Sequence, residues 1–212
     1  MLPPIPQKLW KIDDSTVGDH FFLTGSEPCF YIWEYAARKG YGFRPANNFV
    51  WNLKIKPGAI ERSPMRAGHK LEAIAHAGKA LRTFFSQEFV ETRVTFVPMP
   101  GSKVAGDPQY DNRLGKVLAH AFHGWNADVR DMLKLTRSTL ADHESTERQG
   151  LDELLAITTI NQSFDTAPRE IVVILDDVLN SGKHFQVAQK RIRDKWPQVQ
   201  VRGLFLARCV RD

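Results

Sequence analysis

Apolar positions change their spacing several times along the chain, and each change marks an element. Near the C-terminus, Ile171-Val-Val-Ile-Leu175 is a run of five apolar residues, mostly β-branched and too short for a helix of its own. It predicts a strand buried on both faces. The run leads into Asp176 and Asp177, then a short loop holding Asn180, Ser181 and Gly182. From Phe185 the spacing turns helical, with Val187, Ala188, Ile192 and Trp196 on one side. A second strand–loop–helix unit lies upstream. Arg93-Val-Thr-Phe-Val-Pro98 reads as a strand, Gly101-Ser-Lys103 as a turn and Val104–Asp111 as a loop. Leu114, Val117, Leu118, Ala121 and Phe122 then form the apolar side of a helix.

The remaining stretches predict a helix over about 68–85, with Leu71, Ile74, Ala75, Ala77, Gly78, Leu81 and Phe85 as its apolar stripe. Asp131–Thr136 reads as a strand, Arg148–Ile157 as a helix and Val199–Ala207 as a closing strand. Strands alternating with helices predict an α/β fold around a mostly parallel sheet. Residues 1 to about 66 differ, being rich in aromatics, Gly, Pro and Asn. They predict an N-terminal lobe over residues 1–66, covering one end of a core domain of residues 67–212. Within it, Asp19–Leu23 and Cys29–Tyr35 read as strands, the second equally as the start of a helix, and Phe49–Lys56 as helix or strand. Trp33, Tyr35, Tyr41, Phe43 and Trp51 have the chemistry to stack on a nucleobase, although packing explains most such aromatics.

Composition narrows the classes without choosing among them. The chain has 212 residues and a formal net charge of +5, which suits an anionic ligand and permits nucleic-acid binding. Two cysteines, Cys29 and Cys209, support neither a disulfide framework nor a four-cysteine zinc site. His69 and His76 lack a third residue at metal-ligand spacing and read as surface residues. Met1-Leu-Pro-Pro-Ile-Pro lacks the basic and apolar regions of a signal peptide, and no apolar run reaches membrane-spanning length. The expectation is a cytoplasmic protein with no membrane partner.

The strand ending in Leu175 carries the strongest chemical signal. Amides at the start of the following helix carry partial positive charge; Ser181 adds a hydroxyl and Gly182 allows close approach of the backbone to an anion. Two adjacent carboxylates would repel that anion, so they suit sugar hydroxyls or a hydrated Mg²⁺. The alternative is a strand ending in solvated acids, then a Ser-Gly turn capping a helix. Lys103 can hold a second anion or be a solvated turn lysine.

Leu175-Asp-Asp-Val-Leu-Asn-Ser-Gly-Lys-His184 resembles the phosphoribosyl-diphosphate (PRPP) motif of type I phosphoribosyltransferases. Val97-Pro-Met-Pro-Gly-Ser-Lys103 is similar to the strand and diphosphate loop preceding that motif, with an arrangement like that of ComF-like relatives of amidophosphoribosyltransferases. Leu135-Thr-Arg137, Arg148 and Leu206-Ala-Arg208 follow the same order. The resemblance covers about residues 90–212. Asn180 and His184 stand where the family usually has threonines, Lys183 where a small residue is common, and the cysteine zinc module of ComF proteins is absent.

The resemblance implies a type I phosphoribosyltransferase-like parallel sheet flanked by helices. It implies that Asp176 and Asp177 meet the ribose and hold Mg²⁺ through water. Asn180, Ser181, Gly182, Lys183 and His184 would bind the 5′-phosphate, and Gly101, Ser102 and Lys103 the diphosphate. Arg113, expected in a mobile loop, would close over the leaving group, with Arg137, His143 and Arg148 as accessory residues. The implied activity is transfer of the phosphoribosyl group from PRPP to a nitrogen nucleophile such as a nucleobase or related amine, with release of diphosphate. The alternative is a non-catalytic nucleotide-, PRPP- or DNA-binding protein on the same fold, in DNA uptake, regulation or defence. Expected partners are PRPP, the acceptor, nucleic acid on the alternative reading, and a second copy of the chain as a homodimer.

Overall fold

The fold is seen in a computed structural model that describes residues 1–139 and 150–211. Its strands, in chain order, are β1 (Trp10–Lys11), β2 (Cys29–Ala36), β3 (Val94–Pro98), β4 (Asp128–Val129), β5 (Leu133–Leu135), β6 (Thr158–Ile160), β7 (Ile171–Leu179) and β8 (Gln200–Val210). Its helices are α1 (Pro45–Leu53), α2 (Pro57–Glu61), α3 (Pro64–Phe84), α4 (Gln87–Thr92), α5 (Arg113–Ala121), α6 (Leu151–Ile157) and α7 (Lys183–Lys195).

Six strands form one sheet in the order β1-β2-β8-β7-β3-β4. The pairs from β2 through β4 are parallel, whereas β1 runs antiparallel to β2, so the sheet is mixed rather than wholly parallel. All of β3 and the first five residues of β7 are buried, which requires cover on both faces and explains the uninterrupted apolar runs. Strand β3 continues in sequence to β4 on one side, while β7 and β8 lie on its other side. The chain order therefore reverses between β3 and β7, and a crevice opens beyond the C-terminal ends of these two strands.

Residues 1–66 are built into this architecture. Strand β2 pairs with β8 along its length, and Ile12, Leu23, Trp33, Phe49 and Leu53 share one core with Phe96, Ile174 and Phe205. Asn47, fully buried on α1, fixes the end of β2: its amide donates to the carbonyls of Ala36 and Lys39 and accepts from the Ala36 amide. Trp33 is likewise internal, donating from its indole to Pro4 O at 2.8 Å.

Several sequence expectations change here. Asp19–Leu23 is not a strand: residues 17–19 form a 3₁₀ turn and His20–Leu23 continues as tight turns, because His20 and Leu23 are directed inward and the backbone bonds locally. Phe49–Lys56 divides into the end of α1 and a connection to α2. Strand β5 pairs with β6 in a separate two-stranded sheet. The buried stripe of α3 is rotated from its expected position, since Leu71 is 63% exposed and Lys70 only 4% exposed. His76 is not a surface residue; it stacks on Trp33 and bonds to Pro3 O. Both cysteines are free and buried, as two separate thiols.

Asn47→Ala is expected to destabilise the fold by about 2–3 kcal/mol, because the buried amide and carbonyl of Ala36 both lose their partner. Urea unfolding should report it as a lower midpoint with little change in slope.

Candidate functional site

The crevice beyond β3 and β7 is a cleft of ≈ 1940 Å³. It brings together most of the sequence-predicted site: Gly101, Ser102, Lys103, Arg113, Asp176, Asp177 and the whole of Asn180–His184. Arg137 does not join them. It projects to solvent and pairs with Glu153 at 3.1 Å. His143 and Arg148 lie outside the described residues.

The acidic pair sits inside β7, not after it: Asp176 is opposite Phe205 in the ladder with β8, and pairing continues to Leu179. Consecutive strand residues point to opposite faces, which separates the environments of the two carboxylates. Asp177, 4% exposed, is clamped by two cations. Lys54 Nζ reaches Oδ1 at 2.9 Å, and Arg113 donates to Oδ2 from Nε at 2.8 Å and also from Nη2. Burial alone would raise the Asp177 pKa, but Lys54 and Arg113 outweigh it and hold the carboxyl well below the usual range. Among the described residues, Asp176 accepts from the Asp177 amide alone, at 2.7 Å. Burial, then the charge of Asp177, push its pKa up to about 7.

Arg113 is thus not a mobile-loop residue poised over a leaving group. It is the first residue of α5, and it also donates from Nη1 to Asp111 at 3.1 Å. Asp111 in turn accepts from the buried Lys70 at 2.5 Å, and Lys70 donates to Ile55 O at 2.6 Å. Burial lowers the Lys70 pKa, with Asp111 opposing it. Lys54, Asp177, Arg113, Asp111 and Lys70 form one alternating row that ties α1, β7, α5 and α3 together. Sequence reasoning missed Lys54, Asp111 and Lys70. Lys70 carried a signal, since it falls three, four and seven residues before the apolar Ala73, Ile74 and Ala77. Lys54 carried none, because its partner is distant in sequence.

The loop after β7 is braced from behind. Gly182 has φ +89°, in the left-handed region, and a Cβ there would come within 2.7 Å of Leu23. The turn at 20–23 thus packs directly on the loop. The Phe22 amide donates to Ser181 O at 2.9 Å, and Gln186 Nε2 donates to Phe22 O at 2.9 Å. His20, fully buried, donates from Nδ1 to Asn180 O at 2.5 Å, which fixes the Nδ1–H tautomer because a carbonyl can only accept. Burial depresses its pKa and keeps it neutral. Ser181, just before α7, and Lys183, its first residue, are both buried, and the start of the helix opens on the cleft. Across the cleft, Lys103 Nζ donates to Thr139 O at 3.0 Å, and Ser102 O accepts from the Thr139 amide at 2.7 Å.

Among the described residues, ten lysines and arginines but only three aspartates line the cleft, so an anionic ligand is favoured. Of the lobe aromatics, Tyr35, Tyr41 and Trp51 line it, whereas Trp33 and Phe43 do not. No protein-family model and no curated protein matches the chain. No described helix is long and apolar enough to cross a membrane.

The two carboxylates predict opposite mutational effects. Arg113→Met is expected to destabilise by about 3–5 kcal/mol, since it strands a buried charge. Asp176 has a folded pKa above its ordinary 3.8, so the stability it contributes is full in acid and is lost as pH rises toward 7. Asp176→Asn should therefore remove that loss and stabilise the protein by about 1–3 kcal/mol at pH 8. Chemical denaturation of both variants across pH 4–8 measures these effects.

Proposed function

We propose that this chain is a phosphoribosyltransferase of the type I fold, which binds PRPP and transfers its phosphoribosyl group to a nitrogen nucleophile. The observation that carries the reading is the convergence of two anion-suited loops, Gly101–Lys103 and Asn180–His184, at the ends of adjacent parallel strands, with Asp176 on the same cleft. A ligand with phosphates at two places and a diol between them matches that arrangement.

In this reading the start of α7 with its Lys183, and Ser181 just before it, hold the 5′-phosphate through amides, ammonium and hydroxyl. Asp176 accepts from a ribose hydroxyl, and Ser102 and Lys103 hold the diphosphate. Asp177 has a different role from the one its motif position suggests: with both oxygens engaged by Lys54 and Arg113, it fixes the floor of the cleft. Among the described residues, no three His, Cys, Asp or Glu side chains converge as a metal cage. Asp176, on the same cleft, is the residue that would hold a PRPP-borne Mg²⁺ through water. Such an ion, when bound, neutralises charge developing on diphosphate.

The C1–O bond to diphosphate breaks with its electron pair leaving on oxygen. The acceptor nitrogen's lone pair forms the new C1–N bond, and one proton passes from nitrogen to the released diphosphate. Lys103 stabilises the charge on the leaving group, and the cleft walls align the acceptor with C1.

Isothermal titration with PRPP and Mg²⁺ should give binding that Asp176→Asn weakens at least about tenfold, the loss of a charge-assisted contact. Diphosphate release should appear when an acceptor is added. Absence of PRPP binding to the unmodified chain would overturn the reading, and binding without diphosphate release against nucleobases, nucleotides and single-stranded oligonucleotides would leave a PRPP sensor in its place.

A further inference from the structure

We propose that the part of the cleft lined by Tyr41, Trp51, Arg62, Met65 and Arg66 holds single-stranded nucleic acid, so that the acceptor is a base still attached to its polynucleotide. The identity of the acceptor rests on the transferase reading; the strand-binding surface does not.

The cations of the cleft differ in their partners. Lys54 and Arg113 are matched by Asp177 and Asp111 in the internal row. Arg62 and Arg66 are different: both are exposed, both line the cleft, and they lie four residues apart where α2 leads into α3. Among the described residues neither has a carboxylate partner. The transferase reading assigns PRPP to Lys103, Lys183 and the start of α7, which leaves these two arginines for a second anion.

Exposed apolar side chains line the same cleft as these arginines. Trp51, Tyr41 and Met65 are 53%, 59% and 74% exposed, and all three line the same cleft. Exposed aromatic faces and guanidinium groups on one cleft are the chemistry of strand binding: bases stack on the rings and phosphates meet the cations. The exposure also selects the kind of ligand. Pockets for free small molecules enclose most of the ligand surface, which side chains more than half exposed cannot do. A strand needs no enclosure, because each base gains a stacking contact while the chain continues into solvent. An acidic peptide would satisfy the arginines but would leave the rings unused.

The test uses the full-length chain and a fluorescein-labelled oligo-dT or oligo-U of about 12 nucleotides, a length within the usual site sizes. Anisotropy is read at several salt concentrations, with thymidine or uridine monophosphate and polyglutamate as competitors. The expected result is tighter binding of the oligomer than of the mononucleotide, with affinity falling steeply as salt rises. Arg62→Gln/Arg66→Gln should flatten the log–log salt slope by about 1.4, and Trp51→Ala should weaken binding by about tenfold. Both substitutions are on exposed side chains, and PRPP binding, measured in parallel, should be unchanged in each. The proposal is overturned if the mononucleotide binds as tightly as the oligomer, if the double variant leaves the salt slope as it was, or if polyglutamate competes equally per charge. Loss of PRPP binding in the unmodified chain, with strand binding behaving as stated, would remove the transferase reading and leave the surface standing.

Discussion

The cleft depends on the ion pairs of Asp177. A carboxylate at 4% exposure is unfavourable unless its charge is met, and here two cations from different elements meet it. Because Lys54 comes from the end of α1 and Arg113 from the start of α5, satisfying one buried charge fixes both elements against β7. Asp111 and Lys70 extend the same constraint to α3. Any rearrangement of these elements would leave a charge stranded, so the geometry of the cleft floor is over-determined.

That arrangement divides the labour between two neighbouring residues of the same type. Asp177 is satisfied internally and has little left to offer a ligand. Asp176 bears the cost, since burial and the adjacent negative charge both disfavour its ionised form. A group held in an unfavourable state at the mouth of a cleft gains when a ligand supplies donors or positive charge. The loop after β7 is prepared in a comparable way: His20, Phe22, Leu23 and Gln186 hold it from the side opposite the cleft, so its shape does not depend on a bound phosphate.

Local sequence features revealed the elements well where the apolar spacing was unambiguous. The strands β3, β7 and β8 and the helices α3, α5 and α7 all follow from periodicity, because each buries a continuous face. The site was legible wherever its residues are adjacent in sequence, as in Asp176–His184 and Gly101–Lys103. It was not legible where a side chain's partner is set by packing. Nothing local distinguishes Asp176 from Asp177, and their different roles arise from α1 and α5, which only the folded chain brings to β7. The same holds for the segment at 20–23: its apolar residues suggest a strand, yet His20 and Leu23 are used to support a loop some 160 residues later.

The cleft floor depends on the unequal ionisation of the two aspartates, and carbon-13 NMR of the side-chain carboxyls titrates each directly. The prediction is a residue, removed from the spectrum by Asp176→Asn, that titrates at about 7, while the Asp177 signal stays ionised down to the acid limit of the folded protein. Two carboxyls titrating together near the ordinary value of 3.8 would show that Lys54 and Arg113 do not set the site as described.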